Sequence, residues 1–225
     1  MKLYGFQPSP FGTRVRLAMR HKGLSFDIAP PTAVDPKTAP FLAPSPMEVP
    51  TLVLDDGAAL SGSTVILDYL EDAYPKPSLR PDSPVARARA RMLMQTPDTY
   101  MQNAPRNLFG MADPTKRDLA AIDESFGMIV TALQFVDARL DDGAWAIGGQ
   151  VSIADCALIP MLNAISLLAV IHGRPDVISK HLRLASYWAA VQHDPINAAL
   201  IAEQLAGLPA PLQSFARSAV QGSAA

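Results

Sequence analysis

The chain has little cysteine, little net charge and no long uninterrupted apolar run. Its 225 residues include one cysteine, so no disulfide can form within the chain, which fits a reducing compartment such as the cytoplasm. The 19 lysine and arginine residues nearly balance 21 aspartate and glutamate residues, and the formal net charge is -2. This balance provides no electrostatic attraction to nucleic acid or to an anionic membrane surface. We therefore expect a cytoplasmic protein with neither of these partners.

A membrane-spanning helix needs roughly 18 or more consecutive apolar residues. The longest candidate, residues 154–171, is interrupted by polar residues and a proline. We expect it to be a buried helix of a helical bundle.

Motifs for metals, nucleotides and common nucleophiles are also missing. The histidines have no HxxxH spacing and no cysteine cluster beside them, so we predict no metal site. They are His21, His172, His181 and His193. No GxGxxG, P-loop or GxSxG segment occurs, which gives no support to a dinucleotide site, a phosphate-binding loop or a serine-hydrolase elbow.

The 21 prolines are unevenly distributed and indicate two different halves. They crowd into residues 8–50 and 75–84, whereas residues 115–141 and 176–194 contain none. The first 75 residues predict the order β-α-β-(α)-β-β-α, and the remainder predicts helices only. We therefore expect an α/β domain at residues 1–76, a short linker, and an all-α domain at residues 85–216.

Individual elements follow from apolar spacing and from turn residues. The predicted strands are residues 2–6, 25–29, 49–54 and 58–60. The predicted helices are residues 11–23, a short one near 36–42, 63–75, 85–104, 115–140, 152–171, 176–193 and a short one after Pro195. In the first helix we expect Arg14, Arg16, Arg20 and Lys22 to lie mostly on the outer face.

Ser9 begins the segment SPFGTRVR (residues 9–16), between the first strand and the first helix. A hydroxyl here lies beside unpaired N–H groups and the positive end of the helix dipole, where a thiolate is stabilised. Ser9 would then donate a hydrogen bond to a bound sulfur. The alternative is that Ser9 only caps the helix, as serine at this position usually does.

Two further segments carry candidate binding residues. A cis bond between Val49 and Pro50 would leave the backbone N–H and C=O of Val49 free for a peptide-like ligand, whereas the alternative is a simple edge-strand proline. Ser63, at the start of a helix, would hold a carboxylate through its hydroxyl and nearby N–H groups. The alternative is that Ser61 or Ser63 is an N-cap.

The segment SIAD (residues 152–155) predicts a structural feature. Ser152 as N-cap and Asp155 three residues later form a capping-box variant. Cys156 follows within the first turn of this helix, and a small buried apolar side chain is expected there rather than a nucleophile.

Together these segments resemble the cytosolic glutathione transferase superfamily. SPFGTRVR is similar to the opening of its serine-type members, as in the tau and zeta classes. MEVPTL (residues 47–52) resembles the cis-proline segment, residues 63–71 resemble the helix that follows it, and SIAD resembles the family's folding signature. The resemblance implies a thioredoxin-like domain followed by a helical bundle, and a homodimer active in detoxification.

The resemblance also assigns roles. Ser9 would be the catalytic residue that favours the thiolate of glutathione, the co-substrate. Val49, Pro50, Gly62 and Ser63 would form the glutathione-binding site. A small hydrophobic electrophile would lie against the first helix and the helix near residue 85, with Phe11, Tyr100, Met101, Asn103, Arg106 and Phe109 as candidate lining.

Three positions depart from the family pattern and keep alternatives open. Gly62 replaces the usual Glu or Gln, Glu48 replaces a basic residue, and Ser45 replaces the common Asn. Loss of one charge-assisted contact costs about 1.5–3 kcal/mol. The alternatives are a glutathione-dependent isomerase with Arg14 or Arg106 binding an anionic substrate, a glutathione peroxidase, and a non-catalytic binding protein. Serine rather than cysteine argues against thiol–disulfide exchange.

Overall fold

The first part of the chain folds around a four-stranded sheet. The computed structural model describes residues 1–31, 49–101 and 103–213. The strands are β1 (Lys2–Tyr4), β2 (Asp27–Ala29), β3 (Thr51–Val53) and β4 (Ala59–Ser61), and the helices are α1 (Pro10–His21) and α2 (Ser63–Ala73). The strand order is β2-β1-β3-β4, with β1 parallel to β2 and antiparallel to β3. This confirms the predicted thioredoxin-like arrangement.

Register and turn chemistry explain why these short strands pair. Leu3 lies opposite Leu52, and both side chains are fully buried beneath the helices. Gly57 turns the β3–β4 hairpin with a φ of +88°, a conformation that glycine adopts without strain. The predicted helix near residues 36–42, together with Ser45 and Glu48, lies outside the described residues.

The second part is helical. Its helices are α3 (Pro84–Tyr100), α4 (Ala104–Gly110), α5 (Leu119–Asp137), α6 (Ile153–Ile171), α7 (Leu182–Val191) and α8 (Pro195–Ala206). The predicted helix 85–104 instead ends at Tyr100, and a separate helix begins at Ala104, with Pro105 in its first turn, where the missing N–H has no intrahelical acceptor to lose. The predicted helix 176–193 starts only at Leu182, where the Asp137 carboxylate accepts from the N–H of Leu184 at 2.8 Å.

Helix α6 is the centre of the helical part. Helices α5 and α6 are both long and apolar enough to cross a membrane by composition alone, but 89% of the apolar window of α6 is buried inside the protein. The prediction that residues 154–171 form a buried helix is therefore confirmed. Helix α6 packs against α1 and α3, so it supports the face of the first domain from which the candidate site is built.

The prediction that the cations of α1 face outward is wrong for Arg14, Arg16 and Lys22, which are all buried. Each has an acidic partner far away in the sequence. Lys22 Nζ lies 2.6 Å from the buried Glu71 Oε1, and it also donates to the carbonyls of Tyr74 and Pro77. Helical spacing places a residue on a face, but it does not reveal a distant carboxylate that satisfies a buried charge.

Candidate functional site

Ser9 occupies the N-cap position of α1, but its side chain does not cap the helix. Its backbone carbonyl accepts from the N–H of Thr13 at 2.9 Å, whereas its hydroxyl makes no cap hydrogen bond. Within the described part of the chain no other group bonds this hydroxyl, and the residue is half-buried. The interpretation of Ser9 as a simple cap therefore does not hold. Its hydroxyl is available beside the free N–H groups of the first turn.

The Val49–Pro50 peptide bond is cis, as predicted. The Pro50 carbonyl accepts from the N–H of Gly62 at 3.0 Å, which joins this bend to the start of α2. A Cβ placed on Gly5 would lie 3.8 Å from the Cβ of Pro50, so the bend also adjoins the loop that leads to Ser9. The fold thus brings the three predicted segments to one edge of the sheet.

The start of α2 differs from the capping alternative considered above. Gly62 is the N-cap, with a φ of +90°, and no side chain caps the helix. Ser61 instead bonds the Thr51 hydroxyl at 2.9 Å. The Ser63 hydroxyl accepts from Arg14 Nη1 at 3.2 Å, which leaves its own proton free to donate to a ligand. Neither serine is used as a cap.

Arg14 is buried within the candidate site, although the sequence predicts that it lies on the outer face of α1. Its side chain is 1% exposed and forms a bidentate pair with Asp98 of α3, with both N–O distances at 2.9 Å. Thr64 Oγ1 lies within 3.4 Å of the same guanidinium, while Arg14 Nε is buried without a partner among the described residues. The pair links α1, the start of α2 and α3. Two charged residues 84 positions apart give no local signal of this pairing.

The six residues predicted to line an electrophile site have different environments. Met101 is buried in the core at 1% exposure, so it does not offer a surface. Phe11 is half-buried beside the Arg14 guanidinium, 5.3 Å away, and half-buried Phe109 packs on a cluster formed by α6 residues and Leu208. Tyr100, Asn103 and Arg106 are exposed, and the Tyr100 ring lies 5.9 Å from Phe135 of α5. The structure joins Phe11 to α3 through Arg14 and Asp98, and Phe11 and Phe109 both pack against the core cluster that contains Met101.

The Ser152–Asp155 segment is structural, as predicted. The buried Asp155 carboxylate accepts from the N–H groups of Ala146 and Ser152, each at 2.8 Å, and from the hydroxyls of Ser152 and Tyr187. Burial raises the pKa of Asp155, and these four donors oppose that effect. Burial also raises the pKa of the Cys156 thiol, which disfavours the thiolate and agrees with the small buried side chain expected there.

Comparison with known proteins identifies the family. Two family models match the chain: the glutathione S-transferase N-terminal domain over residues 3–78 and its C-terminal domain over residues 120–183. A maleylacetoacetate isomerase from Pseudomonas aeruginosa is 31% identical over 173 residues, covering 73% of this chain and 81% of the relative. A glutathione S-transferase from Pseudomonas putida is 27% identical, covering 93% and 95%.

A solved structure agrees with these sequence matches. A glutathione S-transferase from Methylobacterium radiotolerans, in complex with glutathione sulfonate, superposes with a TM-score of 0.73 at 26% identity, covering 89% of this chain and 93% of that one. The matches lie on both parts of the fold, and they include the β1–α1 and β3–α2 segments where the candidate residues converge. The chain therefore belongs to the glutathione S-transferase family.

Proposed function

We propose that this protein is a glutathione transferase that joins the sulfur of glutathione to a small hydrophobic electrophile. The observation that supports it best is the Ser9 hydroxyl, which lies at the positive end of α1 and has no hydrogen-bond partner among the residues that the structure describes. A hydroxyl in this position donates to a bound sulfur and favours its thiolate. The solved relative in complex with glutathione sulfonate is consistent with this ligand.

The proposed reaction uses few protein groups. The thiol of glutathione loses its proton to solvent, and Ser9 stabilises the thiolate by donating a hydrogen bond. The sulfur electron pair then forms a bond to the electrophilic carbon, and either a leaving group departs with its electron pair or an acceptor group takes the charge. Ser9 itself is never covalently modified, so no oxidant or second nucleophile is required.

Binding of the tripeptide is proposed along the edge where the cis bend meets α2. The N–H and C=O of Val49 make no hydrogen bond to any described residue, so they are available to pair with a peptide-like ligand. Pro50 fixes the bend, and Gly62 and Ser63 open the uncapped α2, whose first N–H groups attract a carboxylate. Helices α3, α5 and α8 are instead capped by Ser83, Asp118 and Asp194.

A glutathione-dependent isomerase is the second candidate, and the 31% identical maleylacetoacetate isomerase favours it. An isomerase acting on an anionic substrate needs a cation free to bind it. Arg14 is neutralised by Asp98 and buried, which leaves exposed Arg106 from the original pair of candidates. Turnover of an anionic cis-alkene that is lost in Arg106→Ala, with conjugation to a chlorodinitrobenzene-type electrophile retained, would favour the isomerase.

The decisive binding experiment is isothermal titration of glutathione into the protein and into Ser63→Ala. We expect a dissociation constant in the millimolar range or below, weakened about tenfold in the variant. Absence of heat at millimolar glutathione would instead support a non-catalytic binding protein. This alternative is suggested by Gly62 and Glu48, which differ from the residues usual in the family at these positions. A peroxide substrate tested with glutathione would reveal the peroxidase alternative.

The division into residues 1–76 and 85–216, the homodimer, the cytoplasmic location and a role in detoxification belong to the same proposal. They follow from the family and from the single buried cysteine rather than from a contact in this chain. Light scattering gives the assembly directly: a dimer scatters at twice the 24.1 kDa chain mass, and a particle of one chain mass contradicts it.

A further inference from the structure

The loop that carries Ser9 is held by helix α8. Two consecutive carbonyls before Ser9 accept hydrogen bonds from side chains. Arg16 Nη2 donates to the Gln7 carbonyl at 2.7 Å, and Gln204 Nε2 of α8 donates to the Pro8 carbonyl at 3.3 Å. The second contact joins residues 196 positions apart, so the backbone next to Ser9 depends on the docking of the helical domain.

Both donors, Arg16 and Gln204, are held in place by contacts with residues of α8 or α6. Glu203 Oε2 lies 3.3 Å from Arg16 Nη1, and its Oε1 lies 2.8 Å from Arg20. Gln204 is 3% exposed, accepts from Asn163 at 3.0 Å and also donates to the Pro160 carbonyl at 3.1 Å. The Gln204 amide therefore makes three internal hydrogen bonds, two donated by Nε2 and one accepted by Oε1, which restrict it to one orientation.

Gly207 completes the contact by close packing. A Cβ at this position would lie 2.9 Å from the Cβ of Gln7 and 3.0 Å from the Cδ of Pro8. Such distances force a displacement of the loop, because neither backbone-linked carbon is the free end of a side chain. Positions 203, 204 and 207 lie close together at the C-terminal end of α8. Gln204 and Gly207 contact the Ser9 loop directly, whereas Glu203 acts on it through Arg16.

We propose that Glu203, Gln204 and Gly207 are positioning residues that set the direction of the Ser9 hydroxyl. This inference rests on the proposed function, in which Ser9 donates to the glutathione sulfur. A hydrogen bond to a charged acceptor weakens steeply when its angle departs from linearity. A loop released from α8 would therefore raise the pKa of bound glutathione without removing any group that contacts the tripeptide.

The test compares Gln204→Met, which keeps the side-chain shape but loses its hydrogen bonds, with Asn197→Leu. Asn197 is a matched control because it is fully buried on the same helix and bonds His21 and the Val191 carbonyl, not the Ser9 loop. The readouts are kcat and KM for glutathione across pH, the thiolate absorbance of bound glutathione, and thermal stability.

For Gln204→Met we expect kcat/KM at neutral pH to fall about tenfold and the midpoint of its pH profile to rise by about one pH unit. The KM for glutathione should change less than about twofold, since no contact to the tripeptide is lost. Asn197→Leu should lower the melting temperature and leave the pH midpoint unchanged. Equal pH profiles for wild type and Gln204→Met would overturn the inference, as would a shift of the same size in Asn197→Leu.

Two additional variants distinguish a failure of the positioning inference from a failure of the proposed function. Glu203→Gln, at a residue about one-third exposed, should shift the pH midpoint in the same direction by a smaller amount, and it serves if Gln204→Met does not fold. Ser9→Ala tests the proposed function on its own. If Ser9→Ala keeps full activity, the proposed function fails; if it loses activity while the pH midpoints of Gln204→Met and Glu203→Gln stay unchanged, only the positioning inference fails.

Discussion

Helices α1 and α6 both begin after a serine, and the two serines have opposite surroundings. Ser152 lies beside the Asp155 carboxylate, which accepts from four internal donors, so the N–H and the hydroxyl of Ser152 are both satisfied by the protein. Ser9 has the same position relative to α1, but its hydroxyl makes no hydrogen bond to the described residues. A serine before a helix is thus structural or functional according to whether its bonding capacity is already used.

The largest expected effect is the loss of stability on removing Asp155, the carboxylate that satisfies Ser152 at the start of α6. Asp155→Ala leaves the N–H of Ala146, the N–H of Ser152 and the Tyr187 hydroxyl buried without acceptors, which should lower the free energy of unfolding by about 3 kcal/mol or more. Urea unfolding measures this change. Asp118→Ala, which removes an exposed cap of α5, should cost only about 1 kcal/mol. Equal losses in the two variants would contradict the argument.

Ser9→Ala tests whether the serine at the start of α1 serves function rather than stability. Because the hydroxyl caps nothing, the free energy of unfolding should change by less than about 0.5 kcal/mol. The turnover number with an electrophile should fall about a hundredfold, as for loss of one donor that stabilises a developing charge. Ser83→Ala is the control: its hydroxyl accepts from the N–H of Ala86, so we expect a stability loss of about 1 kcal/mol and normal turnover. The reverse pattern would show that Ser9 is a cap.

Gly62→Glu sharpens the comparison at the start of α2, where no side chain caps the helix. The φ of +90° penalises a side chain by about 1–3 kcal/mol, so we expect lower stability. The added carboxylate would contact the amino group of glutathione and strengthen binding about tenfold in calorimetry. Gly57→Glu carries a similar φ of +88° at the hairpin turn and should show the stability loss without a change in affinity.

The smallest effect concerns the other end of α6, at its C-cap residue His172. Burial, with Arg117 and Arg174 nearby, lowers the pKa of His172, although Nε2 donates to the Leu108 carbonyl at 3.0 Å. As the pH falls, His172 therefore becomes protonated in the unfolded chain before it does so in the folded protein. Its contribution to the free energy of unfolding is fully present above about pH 6.5 and is lost as the pH falls through its lower pKa in the folded protein.

Removal of this titration should be visible in unfolding measurements. In His172→Gln the difference in the free energy of unfolding between about pH 7 and pH 5 should shrink by less than about 1 kcal/mol. An unchanged pH dependence in His172→Gln would contradict the expectation.

Most of the fold could be predicted because its signals are local. Short apolar segments, the Asp55-Asp56-Gly57 turn and the Ser152 cap each depend on neighbours within a few residues. The pattern does not indicate helix α4, because the predicted helix 85–104 runs through the break after Tyr100 and stops where α4 begins. The late start of α7 depends on Asp137, a contact 47 positions away.

The candidate site could be predicted only where its residues form motifs. Ser9, the cis Val49–Pro50 bond and Ser63 occur in short segments with characteristic neighbours. The Arg14–Asp98 pair and the Gln204 contact with Pro8 join distant segments, so spacing along one helix gives no indication of them. The sequence predicts an outward-facing Arg14 because an arginine is rarely buried unless it is paired, and helical spacing does not reveal a partner 84 positions away.

The buried Lys22–Glu71 pair affects any attempt to isolate the first domain. The pair is completed by the Pro77 carbonyl, which accepts from Lys22 at 2.9 Å, and by the N–H of Leu79, which donates to Glu71 at 3.0 Å. A truncation after residue 76 removes both groups and opens an ammonium–carboxylate pair to water. Fragments for chimaeras or labelling should therefore extend through residue 79, three residues beyond the boundary suggested by proline content.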